Sequence, residues 1–164
     1  MEGKTNVLFV CLGNICRSPL AEGIFKQKVL EKGLSDQFTA DSCGTSSYHI
    51  GDQPDSRTRQ NASEHGIKLF HQARQISLDD LKNFDFLLVM DKKNLEDVLF
   101  LDPEGKYSDK IRLVRSFEKG ADDLNVPDPY FGGEEGFENV FHILDRSLEG
   151  LLDYLVESGK LKER

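Results

Sequence analysis

The chain has 164 residues, of which 38% are hydrophobic, and a formal net charge of −8. It is long enough to bury the core of one domain, and it lacks the basic surplus with which proteins bind nucleic acid or anionic membranes, so neither partner is expected. No apolar run is long enough to cross a bilayer and the N-terminal residues do not resemble a signal peptide, which predicts a cytoplasmic protein. Three cysteines, an odd number, favour free thiols over structural disulfides.

The first predicted element is a strand that ends at a cysteine. Val7 to Val10 form an unbroken apolar run before Cys11, which is typical of a strand buried on both faces of a parallel sheet. Gly13 and Asn14 tolerate left-handed backbone angles and permit a tight loop after the strand. We therefore expect the thiol to lie at the carboxyl edge of a sheet.

A helix is predicted after this loop. Ser18 is typical of a helix N-cap and Pro19 of the first helical residue. Five residues separate Cys11 from Arg17, so a thiol and a guanidinium are expected to face each other among the backbone N–H groups of a helix N-terminus, an arrangement that binds anions. A Cys-x5-Arg pattern by itself more often joins a buried cysteine to a surface arginine, but the strand, the loop and the Ser-Pro pair around it favour a functional site.

The chemistry that suits this arrangement is nucleophilic attack on phosphorus. A helix N-terminus and Arg17 favour the thiolate form of Cys11, which is the nucleophilic form. Arg17 can bind two phosphoryl oxygens through its planar fork, and loop N–H groups can bind the others. Ser18 could donate a hydrogen bond to the thiolate.

The rest of the chain alternates helices and strands and shows no internal repeat or linker, which predicts a single domain over residues 1–164. Such an order implies right-handed crossovers and a four-stranded parallel sheet with helices on both faces, an α/β fold in which ligands bind at the carboxyl ends of the strands. The predicted segments are helix 19–32, strand 38–42, loop 44–53, helix 55–65, a short helix capped by Ser77 and ending near Phe84, strand 86–90, a helix capped by Asp91 and ending at Phe100, strand 110–114, and a final helix with an apolar stripe from Phe137 to Leu155.

A proton donor for the leaving group must come from elsewhere in the chain, and Asp128 is the candidate. It lies between two prolines in Val126-Pro-Asp-Pro-Tyr130, and these prolines restrict the backbone on both sides of the carboxyl group. Asp-Pro alone is an ordinary turn signal. Beside a Cys-x5-Arg pattern it favours a general acid.

The stretch from Cys11 to Pro19 resembles the phosphate-binding loop of the low-molecular-weight protein tyrosine phosphatases, and Asp-Pro-Tyr at 128–130 resembles the general-acid motif of that family. The resemblance covers nearly the whole chain and is faint between residues 100 and 120. It implies hydrolysis of phosphotyrosine proteins or aryl phosphates through a cysteinyl-phosphate, with phosphate ion as product and no cofactor.

The resemblance also implies roles for individual residues. Cys11, Arg17 and Asp128 would be catalytic. Tyr48, Tyr130 and Phe131 would form the walls of the substrate pocket, although many relatives carry a second tyrosine where Phe131 stands. His71 would steady Asn14 by a hydrogen bond. The remaining substrate-binding residues would be Leu12, Gly13, Asn14, Ile15, Cys16 and Ser18, with Asn14 and Ser18 also supporting the loop.

Cys16 suggests a protective role, because it lies in the same loop as Cys11. If Cys11 is oxidised to a sulfenic acid, Cys16 could capture it as a disulfide before further oxidation. Cys43 is expected to be structural. The other histidines, at positions 49, 65 and 142, have no ligand spacing with the cysteines, so no metal is predicted.

Four alternatives share this loop or fold. An arsenate reductase of the same fold needs further cysteines, and residues 44–164 contain none. A phosphocysteine phosphotransfer protein does not need a general acid such as Asp128. A protein arginine phosphatase shares the loop but looks to carry threonine where Ile15 stands. An inactive phosphopeptide-binding relative would be expected to lose Cys11 or Asp128.

Overall fold

The computed structural model describes residues 3–130 and 133–157 of the chain. Within these ranges the structure has four strands, five α-helices and two short 3₁₀ turns, at Ser108–Lys110 and Val114–Phe117. None of the described helices combines the length and the apolarity that crossing a membrane requires. In chain order the elements are β1 (Thr5–Cys11), α1 (Arg17–Glu31), β2 (Phe38–Gly44), α2 (Ser56–Glu64), α3 (Leu78–Asn83), β3 (Phe86–Val89), α4 (Lys92–Phe100), β4 (Ile111–Leu113) and α5 (Glu134–Glu157).

The four strands form one parallel sheet in the order β2-β1-β3-β4. This confirms the predicted four-stranded parallel sheet. β1 lies in the interior, and its last residue, Cys11, is in register with Gly44 at the end of β2. The thiol therefore lies at the carboxyl edge of the sheet, between the two neighbouring strands.

Helices cover both faces of the sheet, as predicted. Val7 and Phe9 of β1 point into a core formed with α1 and α5, whereas Leu8 and Val10 point into a second core formed with α3 and α4. All four side chains are fully buried. Burial on both faces explains why β1 is continuously apolar rather than alternating.

The start of α1 differs from the prediction. The N-cap residue is Cys16 and the helix begins at Arg17, so Ser18 is not the cap. The Ser18 hydroxyl instead contacts the Cys11 sulfur at 2.9 Å. Pro19 lies within the first turn, where its missing N–H removes no intrahelical bond.

The predicted caps of the two helices that flank β3 are present. The Ser77 N–H donates to the Asp80 carboxylate at 2.9 Å at the start of α3. Asp91 accepts the Asn94 N–H at 2.8 Å at the start of α4. Both bonds satisfy backbone donors that have no intrahelical acceptor. Since α4 follows the carboxyl end of β3 directly, Asp91 lies on the same edge of the sheet as Cys11.

Candidate active site

The Cys11 sulfur is buried and has two polar neighbours. It lies 2.9 Å from Ser18 Oγ and accepts a hydrogen bond from the Asn14 N–H at 3.3 Å. Ser18 Oγ also accepts a hydrogen bond from Asn14 Nδ2 at 2.7 Å, and its own proton has two acceptors within reach, the Cys11 sulfur at 2.9 Å and the Cys43 carbonyl at 3.3 Å. A thiolate at Cys11 could thus receive one hydrogen bond from a hydroxyl and one from a backbone amide.

Asn14 fixes the shape of the loop. Among the described residues, Asn14 is the one non-glycine residue with a positive φ, of 60°. All four hydrogen-bonding positions of its side chain are used. Nδ2 donates to Ser18 Oγ and to Ser42 Oγ, while Oδ1 accepts from His71 Nε2 at 2.7 Å and from the Arg74 N–H at 3.0 Å. The hydrogen bond expected between His71 and Asn14 is therefore present. Because Asn14 Oδ1 can only accept, His71 carries a proton on Nε2.

The other ring nitrogen of His71 faces the carboxylates of Glu22 and Asp41. Among the described residues, these three side chains form the group that could hold a metal ion. His71 Nδ1 lies 3.4 Å from Glu22 and 3.7 Å from Asp41, and the three potential ligand atoms all lie within 4.8 Å of one another. Both carboxylates already have cationic partners, Lys26 at 2.6 Å and Arg74 at 3.0 Å. We therefore assign the cluster to the support of Asn14 and not to a metal.

Arg17 lies beneath the pocket and is 3% exposed. Its Nη1 donates to Asp91 Oδ2 at 2.7 Å and to the Val126 carbonyl at 3.0 Å, and its Nη2 lies 3.6 Å from Asp128 Oδ2. Burial lowers the pKa of Arg17, but the charges of Cys11, Asp91 and Asp128 outweigh burial and raise the pKa above its usual value. The guanidinium therefore stays charged and is held in one orientation.

Cys11, Arg17 and Asp128 line a pocket of about 220 Å³, which therefore contains both the thiol and a carboxylate. The predicted residues that the structure brings together around it are Cys11, Leu12, Gly13, Ile15, Cys16, Arg17, Tyr48, Asp128 and Tyr130. Asn14 and Ser18 are buried and hold the loop from below. Phe131 lies outside the described residues. A larger depression, of about 1150 Å³, lies elsewhere, and no cysteine or carboxylate is among its described lining residues.

The family model of the low molecular weight phosphotyrosine protein phosphatases matches residues 6–161. The chain belongs to this family. It is 42% identical to a putative low molecular weight protein-tyrosine-phosphatase of Synechocystis, over 91% of this chain and 95% of that relative.

Solved structures agree with the low-molecular-weight phosphatase fold. A protein tyrosine phosphatase of Entamoeba histolytica, with Hepes in its active site, has a TM-score of 0.90 and 41% identity, covering 96% of this chain and 100% of that one. An arginine phosphatase of Drosophila has a TM-score of 0.85 and 36% identity, covering 90% of this chain and 96% of that one. A tyrosine phosphatase and an arginine phosphatase therefore share this fold.

The two other cysteines of this phosphatase chain are buried, and all three cysteines are free. Burial, together with nearby Asp55, raises the pKa of Cys16 to about 12, despite a hydrogen bond with Thr58 that acts in the opposite direction. Burial also raises the pKa of Cys43 well above its usual value. Cys16 and Cys43 are therefore neutral thiols near pH 7.

Sequence reasoning did not assign several residues of this site. Asp91 was predicted only as a helix cap, yet its second oxygen binds Arg17. Glu22 and Ser42 form part of the support of Asn14 and hydrogen-bond to each other at 2.8 Å. His49 lines the pocket. The signal for Asp91 was available, because a carboxylate just after a central strand of a parallel sheet lies at the ligand-binding edge.

Proposed function

We propose that this chain is a protein tyrosine phosphatase that hydrolyses phosphotyrosine through a cysteinyl-phosphate intermediate. The observation that carries the proposal is one pocket in which the Cys11 sulfur, the Arg17 guanidinium and the Asp128 carboxyl group meet. Phosphate monoester cleavage needs a nucleophile, a cation for the phosphoryl oxygens and a proton for the leaving oxygen. Each need has one candidate group here.

Substrate binding would use the loop and the aromatic rim. Arg17 would bind phosphoryl oxygens through its terminal nitrogens, joined by backbone N–H groups of the loop and of the first turn of α1, which have no intrahelical acceptor. Tyr48 is 78% exposed and Tyr130 is 39% exposed, so both rings are accessible to the ring of a phosphotyrosine. Phosphotyrosine proteins or aryl phosphates are thus the proposed substrates.

In the first step the Cys11 thiolate attacks phosphorus. A bond forms between Sγ and phosphorus, and the bond between phosphorus and the tyrosyl oxygen breaks. Asp128 gives its proton to the departing oxygen, so that tyrosine leaves as a neutral phenol. Arg17 and the loop N–H groups stabilise the charge on the equatorial oxygens in the transition state.

In the second step water attacks the cysteinyl-phosphate. The Asp128 carboxylate accepts a proton from the water, whose oxygen forms a bond to phosphorus as the bond to sulfur breaks. The products are phosphate ion and the Cys11 thiolate. Hydrogen bonds from Ser18 and from the Asn14 N–H stabilise this leaving thiolate. Every atom of the reaction is supplied by substrate, water and the chain, so the proposal invokes no cofactor.

Turnover of matched peptides tests the proposal. The wild type should release phosphate from a phosphotyrosine peptide much faster than from phosphoserine or phosphoarginine peptides. Cys11→Ser should abolish release, and Asp128→Asn should slow it by about 100-fold or more for a peptide whose leaving group needs the proton. Undiminished tyrosine phosphatase activity in Cys11→Ser would refute the mechanism.

Protein arginine phosphatase activity is the second candidate, supported by the resemblance to the arginine phosphatase of Drosophila. Ile15, which lines the pocket, favours phosphotyrosine, because relatives specific for phosphoarginine look to carry threonine at this place. A higher kcat/KM for the phosphoarginine peptide than for the phosphotyrosine peptide would favour the second candidate.

We also propose that the protein acts in the cytoplasm. Three free, buried cysteines, of which one is the proposed nucleophile, support a reducing compartment. Fractionation of the source cells with an antibody against the chain tests this proposal, and recovery of the protein outside the cytoplasmic fraction would contradict it.

A further inference from the structure

Arg57 contacts the wall of the proposed active site from behind. It is the second residue of α2, and its guanidinium carbon lies 5.3 Å from the ring centroid of Tyr130 and 4.8 Å from that of Phe137. Tyr130 lines the pocket, whereas Phe137 is buried near the start of α5. A guanidinium at these distances makes cation–π contacts with both rings.

The guanidinium is itself tied to the phosphate-binding loop. Arg57 Nε and Nη2 donate to the two oxygens of Asp55, each at 3.0 Å, which is a bidentate pair. Asp55 is the N-cap of α2, and its own N–H donates to the carbonyl of Ile15 at 2.8 Å. Ile15 lines the pocket. A continuous series of contacts therefore runs from the loop, through Asp55 and Arg57, to the ring of Tyr130.

Both partners of the Asp55–Arg57 pair are charged at neutral pH. The hydrogen bond from Arg57 lowers the pKa of Asp55, against the opposing effect of burial. The bidentate geometry therefore persists at neutral pH. A lysine at the same place would keep the charge but would lose both the planar fork and the stacking on the rings.

We propose that Arg57 is a positioning residue, which sets the ring of Tyr130 at a fixed place relative to the phosphate-binding loop so that the aromatic ring of the substrate is held while its phosphoryl group is bound. The inference rests on the proposed function and adds a residue that lies outside the pocket lining. The same contact acts on the general acid, because the Tyr130 N–H donates to Asp128 Oδ1 at 3.0 Å. Arg57 itself does not touch the substrate.

Kinetics separate this role from a general effect on stability. Inorganic phosphate occupies only the phosphate-binding loop, whereas phenyl phosphate also contacts the aromatic wall. Arg57→Leu should raise KM for phenyl phosphate by about threefold to tenfold and leave the inhibition constant of inorganic phosphate unchanged. Arg57→Lys should recover less than half of the loss. Arg59→Leu is the matched control, because Arg59 lies on the same helix and donates to the carbonyl of Pro54.

A double-mutant cycle identifies Tyr130 as the residue through which Arg57 acts. In a Tyr130→Ala background, Arg57→Leu should have no further effect on KM for phenyl phosphate. An unchanged effect in that background would overturn the proposal. An equal change in the inhibition constant of phosphate would also overturn it, because the substitution would then have altered the loop itself.

A third measurement does not depend on activity. The chain contains no tryptophan, so Tyr130→Trp introduces a single tryptophan at the wall, which can be excited selectively over the remaining tyrosines. Adding Arg57→Leu should lower the fluorescence anisotropy of this reporter, whereas Arg59→Leu should leave it unchanged. An unchanged anisotropy with Arg57→Leu would refute the link even if the wild type proved inactive on aryl phosphates, so failure of the inference is distinguishable from failure of the proposed function.

Discussion

Arg17 Nη1 donates to Asp91 Oδ2 at 2.7 Å, and this pair joins the first turn of α1 to the N-cap of α4. Both residues follow strands at the interior of the sheet, so the hydrogen bond spans the carboxyl edge at which the pocket lies. The buried guanidinium would otherwise be oriented only by the Val126 carbonyl and by the more distant Asp128. Asp91 therefore makes the shortest of the contacts that hold the Arg17 guanidinium in one orientation.

Asp91→Asn is expected to lower kcat/KM for phenyl phosphate by about 10- to 100-fold and to lower the free energy of unfolding by about 1–3 kcal/mol, because it removes the nearest carboxylate from a buried guanidinium. Asparagine is also a good N-cap, but it offers one oxygen for the two hydrogen bonds that Asp91 now accepts. Steady-state kinetics and thermal unfolding measure the two effects. Asp97→Asn on the same helix removes the partner of the exposed Lys93. This control should change kcat/KM by no more than about twofold and should leave thermal unfolding nearly unchanged. Normal kinetics in Asp91→Asn would contradict this role.

The sequence predicts the strand–loop–helix unit because its signals are local. The apolar run before Cys11, the residues at 13 and 14 that permit a turn, and the carboxylate between two prolines can each be read from adjacent residues. The support of Asn14 could not be predicted from the residues alone, since its partners come from β2, α1 and the segment after α2.

The mistaken cap at Ser18 has the same physical origin. Ser-Pro is a good local signal for the start of a helix, but it is only a preference of about 1 kcal/mol. In the folded chain the Ser18 hydroxyl lies between Cys11, Asn14 and the carbonyl of Cys43. Buried polar partners of this kind outweigh a local capping preference. Local signals therefore located the site but could not give the hydrogen bonds within it.

Gly44→Ala is expected to destabilise the chain by about 2 kcal/mol and to weaken phosphate binding. A Cβ at this position would lie 2.6 Å from the carbonyl oxygen of Leu12 and 3.1 Å from the Asn14 nitrogen, both backbone atoms of the loop. The loop would have to move, because backbone atoms cannot avoid the contact by rotating about a side-chain bond. Urea unfolding and inhibition by inorganic phosphate measure these effects. Gly136→Ala is the control, because among the described residues its added Cβ would meet Pro129 at an ordinary 3.9 Å.

Cys16→Ser is expected to lose more activity irreversibly after exposure to peroxide than the wild type. Capture joins a sulfenic acid at Cys11 to the Cys16 sulfur and releases water. Because the pKa of Cys16 is about 12, its thiolate fraction rises about tenfold per pH unit over the neutral range, and protection should increase from pH 6 to pH 8. The measurement is the activity recovered by dithiothreitol. Cys43→Ser should behave as the wild type, and equal recovery in Cys16→Ser would exclude the protective role.

Glu138→Gln is expected to destabilise the chain at pH 6 but not near pH 2. The Glu138 carboxylate accepts hydrogen bonds from His65, Asn61 and His142, each at 2.8 Å, and so links α2 to α5. The bond from His65, followed by that from Asn61, lowers the pKa of Glu138 from 4.5 to about 2. A depressed pKa in the folded state gives stability that is fully present above pH 4.5 and is lost as the pH falls towards 2.

The carboxylate is 44% exposed, so solvent screening reduces the expected loss to about 1 kcal/mol at pH 6. Urea unfolding of the wild type and of Glu138→Gln at several pH values measures the difference in the free energy of unfolding. That difference should shrink steadily between pH 4.5 and the most acidic condition at which both proteins still fold. Glu104→Gln, at an exposed glutamate, should show no such trend. A difference that stays constant with pH would mean that the carboxylate charge does not link α2 to α5.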